Sequence, residues 1–202
     1  MDEIILIGAG GHARSCIDVI EMSGQFKVAG FVEKEGMNNN TSEYPILGTD
    51  NNLYLLRKKY RNALITIGQI KSPETRIKLF QLLKEMNYTL PKIQSPTAYV
   101  SKKSNIESGT IIMHGVIINT NAKIGNNCII NNSALVEHDA LIGDHCHIST
   151  GAIVNGEVTV GRGSFIGSGV VTKQSISIGS NCVIGAGAII KSDIQSNQVI
   201  YK

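Results

Sequence analysis

Ile124-Gly125-Asn126-Asn127-Cys128-Ile129-Ile130-Asn131-Asn132-Ser133-Ala134-Leu135-Val136-Glu137-His138-Asp139-Ala140-Leu141-Ile142-Gly143 carries an aliphatic side chain at every sixth position. The frame extends both ways. Stepping by six from Val100 to Ile190 meets Ile or Val at fifteen of sixteen positions, with Thr172 the exception and no insertion. A period of six is neither helical nor the plain alternation of one strand. It fits a short strand, a turn of fixed length and the next strand, with every sixth side chain pointing inward, where β-branched residues pack well. Four residues after each aliphatic position a mostly small residue recurs, among them Thr110, Ala122, Cys128, Ala134, Ala140, Cys146, Ala152, Ser164, Cys182 and Ala188. This is a second inward site, close to a corner.

A longer period lies over the first. Gly125, Gly143, Gly161 and Gly179 are eighteen apart, so three hexads make one coil and these glycines stack at one corner. Glycine is expected there for its access to positive φ. The expected architecture is a triangular prism of roughly five coils with strands about 4.8 Å apart.

Residues 1–91 lack the pattern and are expected to form a separate α/β domain, with the prism at 92–202 and a link around Lys92 to Pro96. Ile4–Ile7 reads as a buried strand, and a helix follows to about Met22. Lys27–Val32 reads as a strand ending at Glu33, and Asn38-Asn39-Asn40 marks a loop. Helices at Asn51–Tyr60 and Pro73–Met86 flank a strand at Ala63–Ile67. This is one half of a doubly wound sheet. Between its first strand and helix, Gly8-Ala9-Gly10-Gly11-His12-Ala13 fits the G-x-G-x-x-A turn, which places a phosphate on a helix N-terminus. Glu33, about twenty residues on, stands where a ribose-binding acid would sit. The alternative is a tight turn that binds nothing.

Composition excludes several classes. The 202 residues carry a net charge of +3 without a long basic run, so nucleic acid is not an expected partner. No apolar run approaches membrane-span length and Met1-Asp2-Glu3 is acidic, so a soluble cytoplasmic protein is expected. Cys128, Cys146 and Cys182 share the inward small-residue site, which argues against a thiol nucleophile, a metal cluster or a disulfide framework.

Chemistry must come from outward turn positions. His138 lies in the column Thr120, His138, Gly156, is followed by Asp139, and has Glu137 beside it with Asn119 and Asn155 one coil below and above. The run Glu137-His138-Asp139 in a repeat otherwise poor in charge points to a functional imidazole rather than a solvated one. His145 and His147 read as surface residues or as facing the same cleft from another subunit. His114 falls in another column.

The glycine turn, the short α/β domain, and Val136-Glu137-His138-Asp139 followed by Ile142-Gly143-Asp144-His145-Cys146-His147 resemble the sialic acid O-acetyltransferase and UDP-amino-sugar N-acetyltransferase family over nearly the whole chain. That resemblance implies a left-handed β-helix and a homotrimer with acetyl-CoA lying between subunits. It implies His138 as general base, oriented by Asp139. His147, Ile148, Gly156, Gly167 and Gly185 would lie along the cofactor. Gly8, Gly10, Gly11, His12, Glu33 and Gly68, with Asn119 and Glu137, would contact a UDP-linked sugar. Members usually end in a Gly-x-Pro-Ala-Lys-like tail near the cofactor. This sequence closes on Val199-Ile200-Tyr201-Lys202: either it is trimmed or that part of the CoA contact is lost, and the coil contacts are expected to remain.

The implied reaction is direct acetylation of the amine of a UDP-linked 4-amino-4,6-dideoxy sugar in bacterial glycan precursor synthesis, with no acyl-enzyme and a backbone N–H near Gly156 as oxyanion donor. The alternative is O-acetylation of a sialic-acid-like sugar. A zinc hydratase on the same prism would need three converging histidines, which the spacing of His114, His138, His145 and His147 does not suggest, so no metal is expected. A non-catalytic nucleotide-binding scaffold is the remaining class.

Overall fold

The structure is a computed structural model and describes residues 1–34, 36 and 43–201. The loop expected at Asn38-Asn39-Asn40 lies outside the described residues. In the N-terminal region β1 (Asp2–Ile7) leads into α1 (Gly11–Ser23), β2 (Phe26–Val32) and β3 (Ile46–Gly48). A 3₁₀ turn at Asp50–Asn52 precedes α2 (Leu53–Leu56), β4 (Asn62–Ile65) and α3 (Glu74–Glu85). The sheet is parallel in the order β3-β2-β1-β4. The chain winds outward from β1 to β3 and then returns to the other side of β1. The crevice at that reversal opens beyond the carboxyl ends of β1 and β4, where such folds bind ligands. α1 buries Ala13, Cys16, Val19 and Ile20 and stops at Gly24, whose φ of 62° closes the helix onto the Ile20 and Glu21 carbonyls.

Two elements differ from expectation. β3 is a third strand the pattern did not announce. The helix expected over Asn51–Tyr60 is α-helical only at Leu53–Leu56: the Thr49–Asn52 capping box starts a short 3₁₀ segment before α2, and residues 57–59 are turn.

The prism follows the hexad frame. Strands of two residues stack into sheets of seven, six and five members, making about six coils rather than five. The register is eighteen residues, as in Ile124↔Ile142, Ile130↔Ile148 and Val136↔Val154. Only the last coil is shorter, Val199 pairing with Val183. The aliphatic positions from Ile112 to Ile190 are buried, as is Thr172, and Cys128, Cys146 and Cys182 lie fully inside. The first strand of the prism is Ile93–Gln94, paired with Ile111–Ile112, so the segment expected as a link already belongs to the first coil.

The glycine column is real, but its reason is different. Positive φ falls instead at the third residue after each aliphatic position, including Asn121, Asn127, Ser133, Asp139 and His145. Gly125, Gly143 and Gly161 are required by the approach of the next coil: a Cβ on Gly143 would lie 2.8 Å from the Arg162 amide nitrogen and one on Gly161 2.5 Å from that of Ser180.

Because strand side chains alternate, the residue before each aliphatic position faces outward, and the three faces are clad differently. On the first, Ile93, Ile111 and Ile129 are fully buried beneath the N-terminal domain, a burial worth about 1.5–3 kcal/mol for each side chain. On the second, Tyr99, Ile117, Leu135, Ile153, Val171 and Ile189 form an unbroken apolar ladder, with Tyr99, Ile117 and Ile189 exposed. The third carries Asn105, Lys123, Leu141, Thr159 and Ser177.

The N-terminal domain is fastened to the first face and its corner by buried polar contacts. Arg76, on α3, is 1% exposed. Its guanidinium donates to the carbonyls of Ile65 (2.9 Å), Ile67 (2.7 Å) and Asn127 (3.0 Å) and to Asn127 Oδ1 (2.6 Å). Burial lowers its pKa to about 10, which leaves it charged at neutral pH. At the other end of the junction, His114 bridges Asp18 of α1 (2.8 Å) and Ser95 (2.8 Å). No helix among the described residues is long and apolar enough to cross a membrane.

Candidate active site

His138 stands on the turn that follows the second face. Its Nδ1 lies 2.9 Å from Asp139 Oδ2, and the two side chains are 53% and 47% exposed. A carboxylate accepts, so in the neutral ring Nδ1 carries the proton and Nε2 presents a lone pair. Asp139 reaches the ring because it takes the left-handed turn position, φ 59°, which Asp tolerates better than most residues. The Asp139 hydrogen bond raises the His138 pKa above 6.5, and the same bond, with one from Asn121, lowers that of Asp139. Asn119 donates to Glu137 Oε2 at 2.7 Å and holds that carboxylate beside the site. Gly156 lies under the imidazole: a Cβ there would sit 2.7 Å from Cε1 and Nε2 of His138. Asn119, Glu137, His138, Asp139 and Gly156 are thus brought together at one corner.

The second group gathers where the N-terminal domain meets the prism. Gly8 has φ 101°, and a Cβ there would meet Ile67 Cγ1 at 2.5 Å, so glycine is needed on both counts. Gly10 and Gly11 are exposed and open α1 with no side-chain cap and no acidic residue in its first turn, which leaves the helix N-terminus suited to an anion. Glu33 is buried, and its oxygens accept the Ala9 amide (2.8 Å) and the Lys34 amide (2.9 Å), so it braces the glycine turn from behind. A cleft of about 270 Å³ beside it is lined by Ile7, Gly8, Glu33, Lys34, Asp50 and Lys78. Gly68 is exposed and packs near the His12 Cβ. Burial, with Arg76 nearby, holds His12 down at about 3.

His147 joins this second group. It is 7% exposed, its Nδ1 lies 2.6 Å from the Gln69 carbonyl oxygen, and burial lowers its pKa to about 4. His145, read as a surface or cleft residue, is instead 5% exposed beneath α3, edge-on to Phe80 with ring centroids 5.4 Å apart. His138 and His147 belong to different faces of the prism. Ile148, expected along the cofactor, points into the prism and is fully buried, so its side chain is out of reach of any ligand. Gly167 and Gly185 occupy the corner between the first and second faces. There a Cβ would meet Ile184 O at 2.6 Å and the Tyr201 ring at 2.9 Å, so coil stacking is what they serve in one chain. Burial raises the thiols of Cys16 and Cys128 to about 12, which removes them as nucleophiles. Among the described residues no three His, Cys, Asp or Glu converge on a metal position.

The residue pattern did not reveal Gln69, Arg76 and Asn127, whose partners are far away in sequence. It also passed over the apolar ladder, which an eighteen-residue step through the positions before each aliphatic residue discloses.

Residues 3–83 match the PglD N-terminal domain family. Residues 103–138 and 139–174 match the bacterial transferase hexapeptide family, and 157–192 the hexapeptide repeat of succinyl-transferase. No curated protein matches by sequence. A histidine-to-asparagine mutant of perosamine N-acetyltransferase from Caulobacter crescentus, in complex with CoA and GDP-perosamine, is 28% identical. It superposes with a TM-score of 0.92 over 98% of this chain and 93% of its own. The acetyltransferase domain of PglB from Neisseria gonorrhoeae, in complex with acetyl coenzyme A, is 26% identical with a TM-score of 0.89 over 98% and 94%. WeeI from Acinetobacter baumannii, 23% identical with a TM-score of 0.87 over 100% and 97%, shares the fold. A PglD-type domain at one end and hexapeptide coils at the other place this chain in the hexapeptide-repeat, left-handed β-helix acetyltransferases that carry a PglD-type N-terminal domain.

Proposed function

We propose that this protein transfers acetyl from acetyl-CoA to the amine of a nucleotide-linked amino sugar, a UDP-linked 4-amino-4,6-dideoxy sugar being the first candidate, in bacterial glycan precursor synthesis. The observation that carries the reading is the His138–Asp139 pair, with Nε2 of His138 turned toward Gly156 and available as a base in the neutral ring. As the amine nitrogen bonds to the thioester carbonyl carbon, Nε2 takes its proton, and Asp139 stabilises the imidazolium that forms. Collapse of the tetrahedral intermediate expels the CoA thiolate, which takes the proton back from the His138 imidazolium, directly or through water, and leaves as the thiol. A backbone N–H near Gly156 is the oxyanion donor in this reading. The sugar nucleotide lies with its base in the cleft by Lys34 and Lys78 and its phosphates at Gly10 and Gly11. The apolar ladder of the second face supports a homotrimer, which would set His138 of one subunit against the glycine turn of another. The perosamine enzyme holds GDP-perosamine, so the nucleotide is tested along with the sugar.

Release of CoA thiol is measured across UDP- and GDP-linked amino sugars, with a free sialic-acid-like sugar as the hydroxyl acceptor. The expected result is turnover with an amino-sugar nucleotide and loss of roughly 10²–10⁴-fold in His138→Ala. Wild-type turnover in that variant would remove His138 as the base, and acetylation of the hydroxyl acceptor alone would replace the amine reading.

A further inference from the structure

Gln69 is 3% exposed at the meeting of the two domains. Its side-chain amide donates to the carbonyls of His145 (2.9 Å) and Gly163 (3.3 Å). Both partners are acceptors, so the nitrogen end of the amide must face them. Its backbone carbonyl lies 2.6 Å from His147 Nδ1. A carbonyl only accepts, so Nδ1 carries the proton. The other ring nitrogen, Nε2, lies 3.3 Å from Asn131 Nδ2, a donor. Burial keeps this ring neutral, with a pKa of about 4. Both hydrogen bonds therefore select one tautomer, Nδ1–H with a lone pair on Nε2.

The residues before Gln69 run straight to the glycine turn. Thr66 donates to the Gly8 carbonyl at 2.6 Å, Ile67 fills the space beside Gly8, and Gly68 packs near His12. Segment 66–69 is a continuous strut from the turn that opens α1 to the prism backbone at His145 and Gly163. Gln69 Oε1, like Arg76 Nε, is buried without a hydrogen-bond partner among the described residues. Such a group is costly to retain, and a shorter apolar residue at this position would avoid it while losing both clamps.

We propose that Gln69 is a positioning residue for acetyl transfer: it locks segment 66–69 onto the prism and holds His147 in the Nδ1–H tautomer, so that His147 meets a bound substrate only as a hydrogen-bond acceptor. This rests on the acetyl-transfer reading for its kinetic consequence, but not for the tautomer. His147 then cannot donate to the thioester oxyanion, and that role stays with backbone or amide N–H groups. The distance between the nucleotide turn and the reacting centre is set by the strut, and misplacement of about 1 Å costs roughly 10²-fold in rate.

The test has two arms. In the first, the imidazole ¹⁵N signals of the wild-type protein, with His147 assigned by comparison with His147→Gln, are recorded at neutral pH without substrate. The expected pattern is protonated Nδ1 and unprotonated Nε2; a protonated Nε2 overturns the proposal whether or not the enzyme acetylates any sugar. In the second, Gln69→Ala and the near-isosteric Gln69→Glu are assayed. Because the side-chain clamps hold the Gln69 carbonyl against His147, losing them is expected to lengthen that hydrogen bond and shift the Nδ1 signal, and to lower kcat/KM for the nucleotide sugar by roughly 10²-fold, with an unchanged KM for acetyl-CoA and an unchanged acidic limb from His138. Wild-type kcat/KM in either folded variant overturns the proposal. If neither variant folds, the wild-type signals alone decide it.

Discussion

Of the histidines at the two candidate sites, burial holds His12, His145 and His147 neutral, with pKa values of about 3 to 4. His138 is exposed and raised above 6.5 by Asp139. The base form of His138 exists above its pKa, so kcat/KM is expected to fall as pH drops through a value higher than 6.5, with a single proton taken up. Asp139→Asn removes the carboxylate that raises it. The acidic limb should then move down toward 6.5, and turnover at its plateau should fall by less than the 10²–10⁴-fold of losing the base itself. A pH–rate profile of both proteins checks this, and an unmoved limb would assign the titration to another group. His138 and Asp139 were legible in the sequence because charge is scarce in the coils and the pair is adjacent. Gln69 and Arg76 were not. Their decisive bonds span 51 to 94 residues, and neither sits in a pattern that separates it from an ordinary loop glutamine or helix arginine.

Among the elements, the interior of the coils could be read directly, since one side chain in six has nowhere to go but inward. The turns show where such reading stops. The glycines eighteen apart were visible, yet their cause is the closeness of the next coil and not backbone conformation. Gly161→Ala is therefore expected to destabilise the prism by roughly 1–3 kcal/mol, because the new methyl meets backbone that cannot yield. Gly151→Asn, at a left-handed position that Asn fills at 121, 127 and 181, should stay close to wild type. Urea unfolding of the two variants tests the distinction, and equal losses would refute it. β3 escaped notice because three residues carry too little pattern, and it forms only because β2 offers an open edge. The helix expected at Asn51–Tyr60 has suitable residues, but the Thr49–Asn52 box starts a tighter turn.

For the whole molecule, the three faces divide the labour: one carries the N-terminal α/β domain, one is bare and apolar, and one meets solvent. An apolar ladder running the length of a prism is too large to be scattered surface hydrophobicity. For the homotrimer proposed above, Ile117→Asp is expected to leave each chain folded, by circular dichroism, while giving a monomer in light scattering and abolishing the proposed transfer. A wild-type protein that is monomeric, or a variant with the wild-type mass, would overturn the ladder as the subunit interface.

The same cladding restricts how this chain can change in length. Removing six residues from the coils would leave every aliphatic side chain inside, yet all that follows would rotate by one side of the triangle. The greasy rungs would swing under solvent, and the histidine turn would move to another corner. Only whole circuits of eighteen preserve both inside and outside, so the grammar that tolerates insertion here counts in threes of hexads.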